Sequence, residues 1–486
     1  MTRLLWIASL AAASCRFEDV PPTAAAPDLP SASPAPAAPD AGPEEDAGPE
    51  AAADRADAPG ASEAPKAVAV ATPDSWATDP EKAPYSVHMT WEGEADTSVV
   101  FTWATAFNDV AVEVPRVIIQ PKAEVEAAGQ FTWGPATVFE GEGANYKESL
   151  LGVDLSNDLH VVWTVRATGL VPDTDYVWRV GFGDVSLETG ELKDPNWSEL
   201  GSVRTAPVKG SRAPFTFVVA GDSRGGESEI AARMDRYVAV DARFWLFTGD
   251  MTVGGTQPEW DSWMGVMQPL TTRRVLLPVQ GNHEILADLY YTQFALPSHP
   301  ELPEHLREHA WSLDYGNVHI VGLDSNTQVL AEEQVPWLEA DLAAASADPD
   351  IDWIVAFFHH PAYSASNHGS TSWVQKNFVP AFEKFGVPLT IAGHDHNYER
   401  TVPIKGGAEV GWQEGPIHVT AGAFFAPAYS NGKKWFTAVS HHGDLRNWMI
   451  LDVDGKVLKA TVWSGDGGPG VPGQSPLDEF TLTRPE

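Results

Sequence analysis

The chain has 486 residues, 43% of them hydrophobic and 10% aromatic, enough for two or three domains with sizeable cores. With 67 acidic against 31 basic residues the formal net charge is -36, which offers no basic footprint for a polyanion and argues against nucleic acid as a partner. Cys15 is the only cysteine, which excludes an intramolecular disulfide.

Residues 1–15 read as an export signal: "MTR" carries one charge, "LLWIASLAAA" is a short apolar core, and "AASC" is a small-residue cleavage region. The stretch resembles a bacterial lipobox. That resemblance implies a lipid on Cys15 and an exported, periplasmic or cell-surface protein whose contact with the membrane runs through the lipid alone. Ala12 stands where such signals prefer leucine, and only Arg3 charges the leader. Ordinary cleavage after the alanines, giving a secreted protein, is the alternative. Residues 16–84 are mostly Ala, Pro, Asp and Glu, with too little apolar area to offset chain entropy, and are expected to form a disordered tether.

Residues 85–206 change character. "SVHMTW", "SVVFTWATA", "HVVWTVRA" and "DYVWRVG" are short, β-branched and aromatic runs separated by turn signals such as "EGEADT" and "VPDTD", and no run looks helical. A β-sandwich is predicted. "LVPDTDYVWRVG", closing later in "SVRTAP", resembles the last strands of a fibronectin type III module. No metal-ligand or acid/base set gathers here, which assigns the region to packing and positioning.

From 213 to 486, five apolar runs each end in polar residues: "FTFVVAGD" at Asp222, "FWLFTGD" at Asp250, "VLLPVQGNH" at Asn282 and His283, "WIVAFFHH" at His359 and His360, and "VPLTIAGHDH" at His394 and His396. Runs without clean alternation fit strands covered on both faces, and the helical segments "EEQVPWLEADLAAAS" and "VQKNFVPAFEKF" lie between them. The alternation predicts an α/β sheet whose functional loops lie at the carboxyl ends of its strands. Oxygen and imidazole donors without thiolate suit Zn, Fe, Mn or similar ions. In extended chain His394 and His396 share a side while Asp395 faces away, as a solvent-facing carboxylate or one that supports the ligands from behind.

The series "GD…GD…GNHE…H…GHxH", with "GHDHNYERTVP", "WDSW", "WSLDYGNVHIVGLDS" and "HHPAYSASNHG", resembles the calcineurin-like metallophosphoesterases, in their purple acid phosphatase branch, over roughly residues 85 to 480. The resemblance implies a four-layer α/β/β/α sandwich preceded by the fibronectin-like domain. It also implies two metal ions, held at one site by Asp250, Asn282, His359 and His394 and at the other by Asp222, Asp250 and His396; with Val253 in place of an anionic tyrosine ligand, both are expected to be divalent (Fe, Zn or Mn). It further implies hydrolysis of phosphate esters by activated hydroxide. His283 resembles the family's phosphate-contacting histidine, His368 falls where relatives keep a histidine near the leaving group, and His360 is expected beside the ligands rather than among them.

The pattern departs from the family at two places. Val253 stands where purple acid phosphatases carry a metal-binding tyrosine, so the iron-tyrosinate colour is not expected unless another tyrosine, such as Tyr398, fills the place. Arg224 stands where other branches carry a histidine; it cannot ligate a metal, but it can clamp a phosphate, or it can face outward and pair with Glu227 or Glu229. The reading is an exported phosphomonoesterase acting on small phosphate esters. The alternatives are a phosphodiesterase on the same fold and a non-catalytic surface lipoprotein.

Overall fold

The computed structural model describes residues 81–106, 109–110, 113–128, 137–150, 153–185, 192–284, 289–441 and 445–485. The export leader, Cys15 and the tether as far as residue 80 lie outside the described residues.

The amino-terminal region is built from β1 (Tyr85–Thr90), β2 (Ser98–Thr105), β3 (Arg116–Pro121), β4 (Val138–Glu140), β5 (Glu142–Leu150), β6 (Val153–Thr168), β7 (Asp175–Val185), β8 (Leu192–Trp197) and β9 (Gly201–Arg204). They form two sheets, ordered β1-β2-β6-β5 and β4-β3-β7-β8, with β9 also paired to β7. Trp103, Trp163 and Trp178 are buried among them. In "LVPDTDY" the Tyr176 hydroxyl accepts from Val171 N at 2.9 Å, fixing the turn into β7. One feature departs from the expectation of a helix-free region: "KAEVEAA", Lys122–Ala128, forms a short helix. Strong helix formers suffice there, and with Val125 the only buried residue of the seven there is no apolar stripe to announce it.

The carboxy-terminal region contains two sheets. The six-stranded one is built from β10 (Phe215–Ala220), β11 (Phe244–Phe247), β12 (Val275–Pro278), β22 (Asn447–Asp454), β23 (Val457–Ser464) and β24 (Asp478–Thr483), in the order β12-β11-β10-β22-β23-β24. The seven-stranded one is built from β13 (Trp311–Tyr315), β14 (Val318–Leu323), β15 (Trp353–Phe358), β16 (Leu389–Ala392), β17 (Tyr398–Thr401), β20 (Ile417–Ala421) and β21 (Thr437–His441), in the order β13-β14-β15-β16-β20-β17-β21. A small hairpin, β18 (Ile404–Lys405) and β19 (Ala408–Glu409), stands apart.

The five apolar runs are thus divided, with β10, β11 and β12 in one sheet and β15 and β16 in the other. Burial explains their lack of alternation. In β15, Trp353, Val355 and Phe357 join the core between the sheets, whereas Ile354, Ala356 and Phe358 pack under helices with Leu338, Leu342 and Phe382. Both faces are dry, so both must be apolar. Between the sheets Phe215 and Phe244 meet Tyr315 at ring-centroid distances of 4.7 and 4.9 Å.

Local signals set the helix limits. Gln257–Thr271 starts at a capping box formed by Thr256 and Glu259, Gln328–Ala347 is capped by the Thr327 side chain, and Val379–Phe385 ends at Gly386 with φ 66°. The sandwich is joined to this region through Trp91, 5.6 Å from both Phe244 and Tyr315, and through Thr271 Oγ1 donating to Val87 O at 2.8 Å.

Candidate metal centre

Parallel pairing puts the strand ends level: Ala220 lies opposite Phe247, Phe247 opposite Pro278, and Phe358 opposite Ala392. Each strand then turns sharply to present a polar residue. Asp222, Asp250 and His394 all take left-handed backbone, with φ of 58, 55 and 67°. Such geometry costs a non-glycine residue on the order of 1 kcal/mol or more and persists where surrounding structure imposes it. The preceding glycines make these turns possible. Gly249 has φ 94°, and a Cβ there would lie 2.6 Å from Gly281 N; a Cβ on Gly393 would lie 2.3 Å from Asp222 Oδ2.

The turns gather Asp222, Asp250, Asn282, His359, His394 and His396. Asn282 Oδ1 is 2.9 Å from both His359 Nε2 and His394 Nδ1, and those two nitrogens are 3.2 Å apart. His359 Nε2 lies 3.3 Å from Asp250 Oδ1, and His396 Nε2 lies 3.5 Å from Asp222 Oδ1. Backbone carbonyls set two of the tautomers. His359 Nδ1 donates to Thr248 O at 2.7 Å and His396 Nδ1 to Pro427 O at 2.6 Å, which turns both Nε2 lone pairs inward.

Charge in the cage is consistent with those lone pairs. Burial, with the charges of neighbouring imidazoles, holds His394 well below the ordinary histidine range; burial and then Arg224 bring His396 down to about 4, so both rings are neutral, the form that binds metal. Asp222 is pushed up, first by burial and also by the charge of Asp250. Burial acts on Asp250 in the same sense, but His359, His283 and Arg224 outweigh it and hold its carboxyl low. Buried carboxylates, an amide oxygen and inward-facing imidazole lone pairs repel one another unless a cation lies among them. The donor set therefore fits the implied metal ions, and its oxygen and nitrogen chemistry suits Zn, Fe or Mn.

The remaining candidates surround the cage. His360 is buried beneath it, its backbone N–H and Nδ1 both engaged by Ser325 Oγ and its ring 4.3 Å from that of His394. His283 donates its backbone N–H to Asp250 Oδ1 at 3.1 Å, and its Nδ1 hydrogen-bonds the carbonyl of Val253. The Val253 side chain is half exposed. His368 is exposed at the rim, 4.3 Å from the His394 ring.

At three places where alternatives stood open, the structure removes one of them. Arg224 does not pair outward with Glu227 or Glu229: its Nε lies 3.4 Å from Asp250 Oδ2 and a terminal nitrogen 3.4 Å from His396 Nε2, drawn in by the buried carboxylate. Tyr398 is not near the place left by Val253, because its buried hydroxyl donates to Asp478 Oδ2 at 2.8 Å, on β24. Asp395 is not solvent-facing; it is fully buried and accepts hydrogen bonds from Ser364, His368 and Gly369.

Two residues were missed. Glu284 is fully buried, accepting from Asp250 N and Gly281 N at 3.0 Å each and from Thr252 N at 2.9 Å, so that it ties the loop of Asp250 to that of Asn282. The final letter of "GNHE" was its only sequence signal. Tyr429 stacks on His396 at 4.1 Å and 11°, and its hydroxyl hydrogen-bonds Arg224. Nothing around it in the sequence announces this.

Comparison with known proteins agrees with this geometry. Residues 215–398 match the calcineurin-like phosphoesterase family and residues 84–205 the purple acid phosphatase N-terminal domain. An uncharacterized protein of Mycobacterium tuberculosis is 27% identical over 365 residues, covering 66% of this chain and 62% of that protein. Purple acid phosphatase 22 of Arabidopsis thaliana is 30% identical over 233 residues, 46% of this chain and 52% of the relative. Acid phosphatase type 7 of Homo sapiens is 26% identical over 386 residues, 71% and 78% of the two chains. The chain thus spans 62% of the length of the mycobacterial relative and about half of the plant one. Among solved structures, a purple acid phosphatase from yellow lupin (Lupinus luteus) seeds superposes with a TM-score of 0.67 at 18% identity, over 83% of this chain and 75% of its own, a likeness of fold. Residues 215–398 thus form a calcineurin-like phosphoesterase domain, with the donor cage at its strand ends, and residues 84–205 before it a purple acid phosphatase N-terminal domain.

Proposed function

We propose that the protein is an exported, metal-dependent phosphoesterase acting on phosphomonoesters, with Asp222, Asp250, Asn282, His359, His394 and His396 holding two divalent cations. The observation that carries this reading is the convergence of Asn282 Oδ1, His359 Nε2 and His394 Nδ1 within 3.2 Å of one another, beside buried carboxylates. When bound, such cations polarise phosphoryl oxygens and activate water for in-line attack.

The chain's own residues do the rest. Arg224 brings a planar guanidinium to the mouth of the cage, steadied by Tyr429, where it can hold a phosphate oxygen. His283, fixed by Asp250 and the Val253 carbonyl, stands beside it. His368 faces solvent at the rim, where a leaving group departs, and is the candidate general acid. The test is turnover of 4-nitrophenyl phosphate and bis(4-nitrophenyl) phosphate by one sample with its metal content measured. Metal-dependent turnover favouring the monoester supports the reading; preference for the diester makes the protein a phosphodiesterase, and inertness of the metal-loaded protein toward both refutes hydrolysis. Export rests on the leader, with lipid on Cys15 as the anchor. Cys15→Ser should release the protein from membranes or leave its precursor uncleaved, and equal soluble recovery of both forms would point to ordinary secretion.

A further inference from the structure

The loop Ser364–Gly369 carries His368 across the rim of the cage. Its first half has several anchors: Ala365 N donates to Glu399 Oε2 at 2.7 Å, Gly432 N to Ala365 O at 3.1 Å, and Lys434 Nζ to Ser364 O at 2.9 Å. Its second half is held differently. The backbone N–H groups of His368 and Gly369 donate to Asp395 Oδ1 and Oδ2 at 2.9 and 3.1 Å, and the Ser364 hydroxyl donates to the same carboxylate. Among the described residues no side chain hydrogen-bonds the His368 ring, which packs on His394 at 4.3 Å and edge-on to Tyr429 at 5.4 Å, so the hydrogen bonds that place it are those of its main chain.

Asp395 is itself fully buried between His394 and His396. A buried carboxylate is costly unless its lone pairs are filled, and here all three donors come from one loop. We propose that Asp395 is a positioning residue for His368, coupling the turn that carries two cage histidines to the loop that carries the proton donor. The assignment rests on the reading of His368 as general acid. In that step the oxygen of the attacking hydroxide bonds to phosphorus as the P–O bond to the leaving group breaks, the electron pair of the broken bond goes to the leaving oxygen, and a proton from the His368 imidazolium completes the alcohol, leaving phosphate and neutral imidazole. Only substrates with a poor leaving group need the proton early, because a nitrophenolate departs readily without it.

The test compares 4-nitrophenyl phosphate, phenyl phosphate and glycerol 2-phosphate on the full chain loaded with divalent metal. Asp395→Asn replaces one acceptor oxygen by a donor facing N–H groups. It is expected to lower kcat on glycerol 2-phosphate by about 10- to 100-fold, the scale of a misplaced acid, while 4-nitrophenyl phosphate loses less than about 3-fold. Amide hydrogen exchange at His368 and Gly369, measured on the metal-free chain, is expected to speed up at least about 10-fold. Ser364→Ala, which removes one donor from the loop side alone, gives a smaller change of the same kind and keeps the test decisive if Asp395→Asn fails to fold. Equal losses across the three substrates, or unchanged exchange at both amides, would overturn the assignment. His368→Gln separates the two levels: a steep leaving-group response there with a flat one in Asp395→Asn removes Asp395 alone, and a flat response in His368→Gln removes the general acid and Asp395 with it.

Discussion

Replacing Glu284 by alanine removes the acceptor for three backbone or hydroxyl groups on one side of the cage and a fourth on the other. Its Oε2 takes the N–H groups of Asp250 and Gly281, and its Oε1 takes the N–H and hydroxyl of Thr252, at 2.9–3.1 Å. The hydroxyl can turn to another partner, but the three N–H groups cannot. Each buried donor left unpaired costs about 1–3 kcal/mol, and because water can enter the space vacated by the side chain, a total of about 3–5 kcal/mol is expected. Thr252→Val, which deletes the hydroxyl and with it the acceptor of Gly255 N at 3.1 Å, should cost about 1–3 kcal/mol. Urea unfolding of the metal-free chains measures both. The same change releases the loops that aim Asp250 and Asn282, so metal affinity, read by competition with a chelator, should fall about 10- to 100-fold. A Glu284→Ala protein within about 1 kcal/mol of the parent, with unchanged metal affinity, would refute the role of this carboxylate as the tie between the two loops.

Asp250→Ala and His394→Ala should each lose bound metal and more than about 100-fold of activity together while the sandwich keeps its fold; full phosphatase activity in either would remove the assignment of the centre. Substituting His319 should reshape stability against pH. Burial would lower this imidazole, but Asp314 at 2.7 Å and Asp341 at 2.9 Å raise it to about 9. The stabilisation is therefore complete below the unfolded value of about 6.5 and is lost as pH rises through 9, on the order of 3 kcal/mol in all, with Lys209 sharing the contribution of Asp314. Unfolding free energies at about pH 6 and about pH 9.5 should differ by that much more in the parent than in His319→Gln, and an equal pH dependence in both would refute the pairing. The iron-loaded protein should lack a tyrosinate charge-transfer band, whereas Val253→Tyr should gain one. A band in the parent would identify Tyr429 as a ligand, since Tyr398 is engaged by Asp478.

Much of the centre is legible in the sequence because its residues sit at the ends of apolar runs, and a run that stops at "GD", "GNH" or "GHDH" marks both the strand and the polar side chain presented at its end. Glycine before Asp222, Asp250, Asn282 and His394 belongs to the same local code, since the left-handed turns at Asp222, Asp250 and His394 leave no room for a side chain at Gly249 or Gly393. The sandwich is legible for a similar reason, apart from the short helix Lys122–Ala128, whose residues favour helix without an apolar stripe to show it.

Direction and partnership were decided only by tertiary structure. Local sequence leaves Arg224 as free to meet Glu227 as Asp250, and the buried carboxylate won because that charge lacks water to compensate it. Period-two alternation correctly separates Asp395 from its neighbouring histidines but cannot say whether the far side is solvent or, as here, the underside of a loop some thirty residues earlier in the chain. Tyr429 reaches His396 from a loop beyond four further strands, and Glu284 joins two loops whose strands lie side by side only once the sheet has formed. Such contacts depend on which strands neighbour one another, and that order arises from packing two sheets back to back, a property of the whole chain rather than of any stretch of it.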